Sequence, residues 1–177
     1  MKKNEIYIKS GTEYKDVTKE LLEQCGLAEQ IPAKDLQIGI KPNLVSPTEA
    51  SWGATTHPEI VAGIIEYLQE KGFSKIAILE GSWVGDKTTE AYELCGYREL
   101  SEKYQVPFWD MQKDTGVDRD CGGMDLKICS SVEKIDFLIN VPVLKGHCQT
   151  KSHLCTKKYE GSDPQYGKEK ISCPWPP

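Results

Sequence analysis

Four short stretches concentrate the side chains that could do chemistry. They are Lys41-Pro42-Asn43, Thr55-Thr56-His57, Glu80-Gly81-Ser82, and residues 140–151, where Asn140, Lys145, His147, Gln149, Thr150 and Lys151 fall within twelve positions. Ammonium, amide and hydroxyl donors grouped in this way suit a small anion. An imidazole titrates near neutral pH, so His147 is a candidate for acid–base work or metal ligation. With Lys145, a candidate anion donor, it forms the candidate catalytic pair. Lys41, Asn43, Thr55, Thr56, His57, Ser82 and Asn140 are the candidate ligand-binding residues. Structural readings stand beside these. Thr56 with Glu59 matches a helix capping box, Asn43 suits a turn, and Lys41 could be an ordinary solvated lysine. Gly81, Ser82 and Gly85 could let a backbone approach a phosphate, although no G-x-G-x-x-G or Walker lysine accompanies them. No G-x-S-x-G elbow, H-E-x-x-H pair or defensible carboxylate dyad is present.

The elements that must position these residues follow from periodicity. Residues 5–9 alternate and predict an edge strand. Residues 13–24 predict a helix with Val17, Leu21 and Leu22 on one face and Gly26 at its end. Strands are expected over 36–40, 75–79, 106–110 and 136–141. Helices are expected over 58–71, 88–94 and 97–104, the first bounded by Gly72 and the last two separated by Gly96. Residues 111–123 read as loop, 124–128 as a hairpin arm, and 130–133 as a short capped turn. Apolar strands alternating with helices of this length predict an α/β fold, a mostly parallel sheet flanked by helices. Right-handed crossovers then bring the strand C-termini to one edge. Lys41 and Asn43, Ser82, and Asn140 with Lys145 and His147 all lie just past strand ends, so they are expected to converge on one crevice.

Bulk properties exclude several partners. The 177 residues carry a net charge of −5 with pI near 5.3, which argues against nucleic acid and anionic lipid surfaces. No stretch approaches the ~20 apolar residues of a membrane span. No apolar leader follows Met1, so the sequence reads as cytoplasmic. The seven cysteines are dispersed, with no C-x-x-C pair. They predict neither a disulfide framework nor an iron–sulfur cluster. Cys148 and Cys155, near His147 and His153, are the one metal-like grouping, and their spacing fits no standard site.

In combination, Lys41-Pro42-Asn43-Leu44, Ala54-Thr55-Thr56-His57-Pro58-Glu59, Glu80-Gly81-Ser82, Gly96-Tyr97 and the run from Asn140 to His147 resemble the family called domain of unknown function 362. The resemblance extends from about residue 5 to Lys151. It implies no settled activity. It does imply an iron–sulfur association, since the family is often described in those terms and some members add a ferredoxin-like domain, whose cysteine pattern is not in this chain.

Beyond Lys151 the family pattern continues with a segment like TCALKNMKGLIP and then one like EKRRFH. This chain reads Ser152-His153-Leu154-Cys155 instead. Codons read from their second base, starting at the His153/Leu154 junction, permit Thr, Cys, Ala, Leu, Lys, Asn, Met, Lys, Gly, Leu, Ile and Pro in that order. Residues 167–173 then permit Glu, Lys, a basic pair and Phe-His. The expectation is therefore two parts: residues 1–151 as the N-terminal part of the family's α/β domain, and residues 152–177 as an out-of-frame, poorly packed tail. The sheet would be incomplete at its C-terminal end, with an uncovered edge open to self-association, and the chain could be an inactive fragment.

Overall fold

A computed structural model describes residues 5–120, 125–147 and 151–153; at 147 and 151–153 only the backbone is described. The order is α1 (Tyr14–Gln24), β1 (Ile38–Pro42), α2 (Pro58–Glu70), β2 (Ile76–Glu80), α3 (Thr88–Leu94), α4 (Tyr97–Tyr104), β3 (Phe108–Asp110), β4 (Gly116–Asp120), β5 (Asp125–Cys129), β6 (Phe137–Val141), β7 (Lys145–His147) and β8 (Lys151–His153). Glycines 26, 72 and 96 adopt positive φ beside the helix ends, as the sequence predicts. Two expectations are corrected. Residues 5–9 form no strand: Ile6 and Ile8 are more than four-fifths exposed, because no strand edge or apolar surface meets their alternating face. The stretch read as loop contains β4, whose sequence Gly-Val-Asp-Arg-Asp has no apolar period and which takes its form from antiparallel pairing with β5.

Four strands make one parallel sheet in the order β3-β2-β1-β6. The order explains which segment covers which face. From β1 to β3 the chain steps one way across the sheet, so right-handed crossovers put α2, α3 and α4 on one face. Ile38, Ile40, Ile76 and Ile78 pack there against Val61, Ile64, Ile65, Leu68, Ala91, Tyr97 and Leu100. From β3 to β6 the chain steps back past β1, so the same handedness sends that connection over the opposite face. There Leu79, Met111 and Cys129 pack with Trp109, Ile135 and Leu138. Gly39 makes this second layer possible. A Cβ on it would lie 2.7 Å from Leu79 Cδ2 and 3.0 Å from Ile135 Cδ1. Among the described residues, no helix is long and apolar enough to cross a membrane.

Helix α1 packs on α2 rather than on the sheet. Lys15 and Lys19 pair with Glu66, which also accepts from the Tyr104 hydroxyl of α4. The helices meet at Gly63, where a Cβ would come 2.6 Å from the Lys15 carbonyl oxygen. Gly63→Ala sets two effects against each other. Alanine favours the helix by roughly 1 kcal/mol, but overpacking against backbone costs typically ~1–3 kcal/mol. The neighbour is a carbonyl that cannot move aside, so the clash is expected to dominate and urea unfolding to show a lower midpoint. A midpoint at or above that of the parent would show that α1 is not seated this closely.

Candidate functional site

The strand order reverses between β1 and β6, whose ladder runs to Pro42 and Val141, and the topological crevice lies just past that last pair. Open α/β sheets bind ligands at such a point. Here it is bridged by Thr56. The Thr56 hydroxyl accepts from the Asn43 amide at 2.9 Å and donates to the Val141 carbonyl at 2.8 Å, and the Thr56 amide donates back to the Asn43 carbonyl. The buried Tyr97 hydroxyl donates to the Thr56 carbonyl. Burial holds the Tyr97 phenol well above its ordinary pKa. Thr56 therefore does not cap α2: the N-cap is His57, with no side-chain capping bond. The capping-box expectation fails because this hydroxyl is already committed to both walls of the crevice.

The loops leaving the strands are fastened in the same way. Thr55 is buried and donates to the Thr48 carbonyl, which also accepts from the Cys95 thiol. Burial raises the Cys95 pKa, so this thiol is a packing group. Ser82 is buried, its hydroxyl donates to the Leu44 carbonyl, and its amide donates to the Thr88 hydroxyl. Asn43 Oδ1 accepts from the Val45 amide, the turn its residue type suits. The hydroxyls of Thr55, Thr56 and Ser82 thus brace the loops.

Charged groups at this edge include Lys41 on β1, Glu80 on β2 and Lys145 on β7. Lys41 and Glu80 form a buried pair at 2.7 Å, with side chains 12% and 5% exposed. Asn140 is the register partner of Lys41 on β6. Lys145, partly buried, donates to the Ala54 carbonyl at 2.6 Å. Burial lowers the Lys145 pKa, and the Glu80 carboxylate pulls it the other way. Lys145 has no carboxylate within ion-pair distance among the described residues. Helix α2 begins just after Thr56 and presents the positive end of its dipole here.

A family model for a domain of unknown function (DUF362) matches residues 38–174, more than three-quarters of the chain. The chain belongs to this family. No curated protein and no solved structure matches it. The DUF362 match takes in β1, the Thr56 clamp and the Lys145 loop, so every residue of the crevice lies inside it.

Not every expected residue of this DUF362 chain reaches the crevice. His57 turns toward α1, its ring centroid 4.5 Å from that of Tyr14 and its Nδ1 3.8 Å from Glu59. His147 ends β7, where its backbone pairs with Lys151; its side chain is outside the description, as are Gln149 and Thr150. The tail expected over 152–177 is described only at residues 152 and 153. An iron–sulfur cluster does not fit the described cysteines. Cys25, Cys95 and Cys129 are dispersed, their thiols directed to the carbonyls of Leu22, Thr48 and Met111. No group of three His, Cys, Asp or Glu converges among the described residues. A groove of about 580 Å³ lies elsewhere, lined by Tyr14, Lys15, Glu59, Glu99 and Lys103 between helices. Its charges are of mixed sign and on helix surfaces, so the strand reversal, with its buried polar groups, is the stronger site.

One organiser was invisible in the sequence. Gln112 Nε2 donates to the carbonyls of Ser82, Trp83 and Asp86, and its Oε1 accepts from the Thr88 amide. Its neighbours in sequence carry no hint of this, since all four partners are more than twenty residues away.

Thr56→Val keeps the shape but strands the Asn43 amide and the Val141 carbonyl. Each unsatisfied buried group costs ~1–3 kcal/mol, so thermal unfolding is expected at clearly lower temperature, whereas Thr56→Ser keeps both bonds and stays near the parent. Equal melting of the Val and Ser variants would mean that the clamp carries no load.

Proposed function

We propose that the crevice between the ends of β1 and β6 binds a small anionic molecule and that Lys145 recognises its charge. One observation carries this reading. At the strand reversal, Lys41 is neutralised by Glu80, while Lys145 is partly desolvated with a neutral carbonyl as its hydrogen-bond partner. An ammonium in that position gains from an anion what it lost in hydration. Asn140 near the end of β6 and Asn43 just past β1 carry amides that can serve as neutral donors at the same edge. The positive end of α2 adds to the same field. A cation in the crevice would meet Lys145 head-on, so an anion is favoured over a metal ion. Because burial loosens the Lys145 proton, the same amine is suited to donate or accept a proton once ligand is bound. His147, at the end of β7, is the second candidate for that role.

Inorganic phosphate, followed by calorimetry, tests the reading. Lys145→Met is expected to weaken binding roughly ten- to hundredfold, the worth of a hydrogen bond to a charged group. The sign with pH follows from the lowered pKa. Binding needs the protonated amine, so it is lost as pH rises through a value below lysine's ordinary ~10.4. Lys145→Arg carries a permanent charge and is expected to hold phosphate to higher pH. If Lys145→Met binds phosphate as the parent does, the reading is wrong.

We propose in addition that residues 152–177 are translated out of frame. The support is the ordered codon correspondence with the family pattern. The DUF362 match runs through residue 174 and so includes this segment, which makes the reading frame itself the deciding observation. An uninterrupted frame across codons 148–156 in independent reads of the gene would falsify the proposal.

A further inference from the structure

We propose that the anion bound at Lys145 carries a flat apolar body, and that Trp52, Trp83 and Leu144 on the rim of the crevice hold it. This rests on the anion reading above and names its substrate class. Apolar side chains exposed in one region of the surface mark binding sites when they share a patch. Here Trp52, Trp83 and Leu144 are 78%, 58% and 76% exposed. Each lies in the loop that leaves a different strand, β1, β2 or β6, at the same edge of the sheet.

The loops are tied to one another. The Trp83 amide donates to the Val45 carbonyl at 2.9 Å. Lys145, the residue after Leu144, reaches the carbonyl of Ala54, two residues beyond Trp52. The Trp83 loop is also held in form. Gln112 binds three of its carbonyls, and the indole lies over Gly85, where any Cβ would overlap the ring. The edge thus offers a partly desolvated ammonium and, in the neighbouring loops, exposed indole and isobutyl surface. A ligand complementary to both is amphipathic: a phosphate or carboxylate on an aromatic or similarly planar body.

The test compares 2-naphthyl phosphate with inorganic phosphate, by calorimetry and tryptophan fluorescence. The naphthyl ester is expected to bind about tenfold more tightly. Trp52→Ala and Trp83→Ala should each reduce that advantage roughly three- to tenfold, leave phosphate binding unchanged, and leave the fold intact, since both side chains are more than half exposed and the Trp83 loop keeps its bonds to Gln112. Lys145→Met should weaken both ligands. Equal affinity for the two ligands in the parent overturns the rim while the anion site stands. Binding of neither ligand removes the anion site and the rim with it. Naphthyl phosphate binding that ignores Lys145→Met overturns the coupling of head and body proposed here. A concentration-dependent dimer dispersed by Trp83→Ala assigns the rim to self-association instead, and also overturns the proposal.

Discussion

The hydroxyl of Thr56 sits where the sheet changes direction. Two parallel strands whose connections leave on opposite faces must part at their C-terminal ends, and the backbone groups exposed by the parting need partners away from bulk water. A hydroxyl can donate and accept at once. Thr56 uses both capacities, on Asn43 of one wall and Val141 of the other, across 85 residues of sequence. Tyr97 holds the backbone of Thr56 from the helix side. Two hydrogen bonds therefore tie the two walls together, and the Lys145 loop, which follows Val141, starts from that tie.

Electrostatics then decide what the crevice can accept. Burying Lys41 and Glu80 together is costly in desolvation, and their attraction at 2.7 Å roughly offsets that cost. The pair brings little net field to a ligand but keeps Lys41 from competing for one. It also places a carboxylate near enough to Lys145 to favour its charged state against burial. Among the described residues Lys145 is left without an ion-pair partner, as an amine with protons still to donate.

Most of the fold could be read from the sequence because it depends on local signals. Apolar runs such as Ile76 to Leu79 make buried parallel strands, and glycines at 26, 72 and 96 end helices where the chain must turn left-handed. The failures share one cause. β4 is held by its partner and not by its own pattern, the alternation at 5–9 has no edge to join, and Thr56 satisfies a local capping rule that a distant pair of backbone groups overrides. For the site, the convergence of Lys41, Asn43, Ser82 and Lys145 at one edge was legible from topology. Which of them remain available to a ligand was not, because that depends on side chain to backbone bonds such as Ser82 to Leu44 and Gln112 to the Trp83 loop, which leave no periodic trace.

The two walls of the crevice differ in stiffness. β2 is buried along its whole length and β1 at all but Lys41, between a helical layer and a second apolar cluster. β6 is the outer strand, and all five of its residues are partly exposed. Its attachment rests on the backbone ladder to β1, on partial packing of Phe137, Ile139 and Val141 on one face and Leu138 on the other, and on the Thr56 clamp. Segments with fewer buried apolar contacts open at lower free energy. The Lys145 loop hangs from this softer wall, while Ala54, the acceptor it reaches, belongs to the segment anchored on the stiff one. An anion held by Lys145 with Asn43 and Asn140 would therefore add a second link across the crevice, beside that of Thr56, and stabilise β6 as it bound.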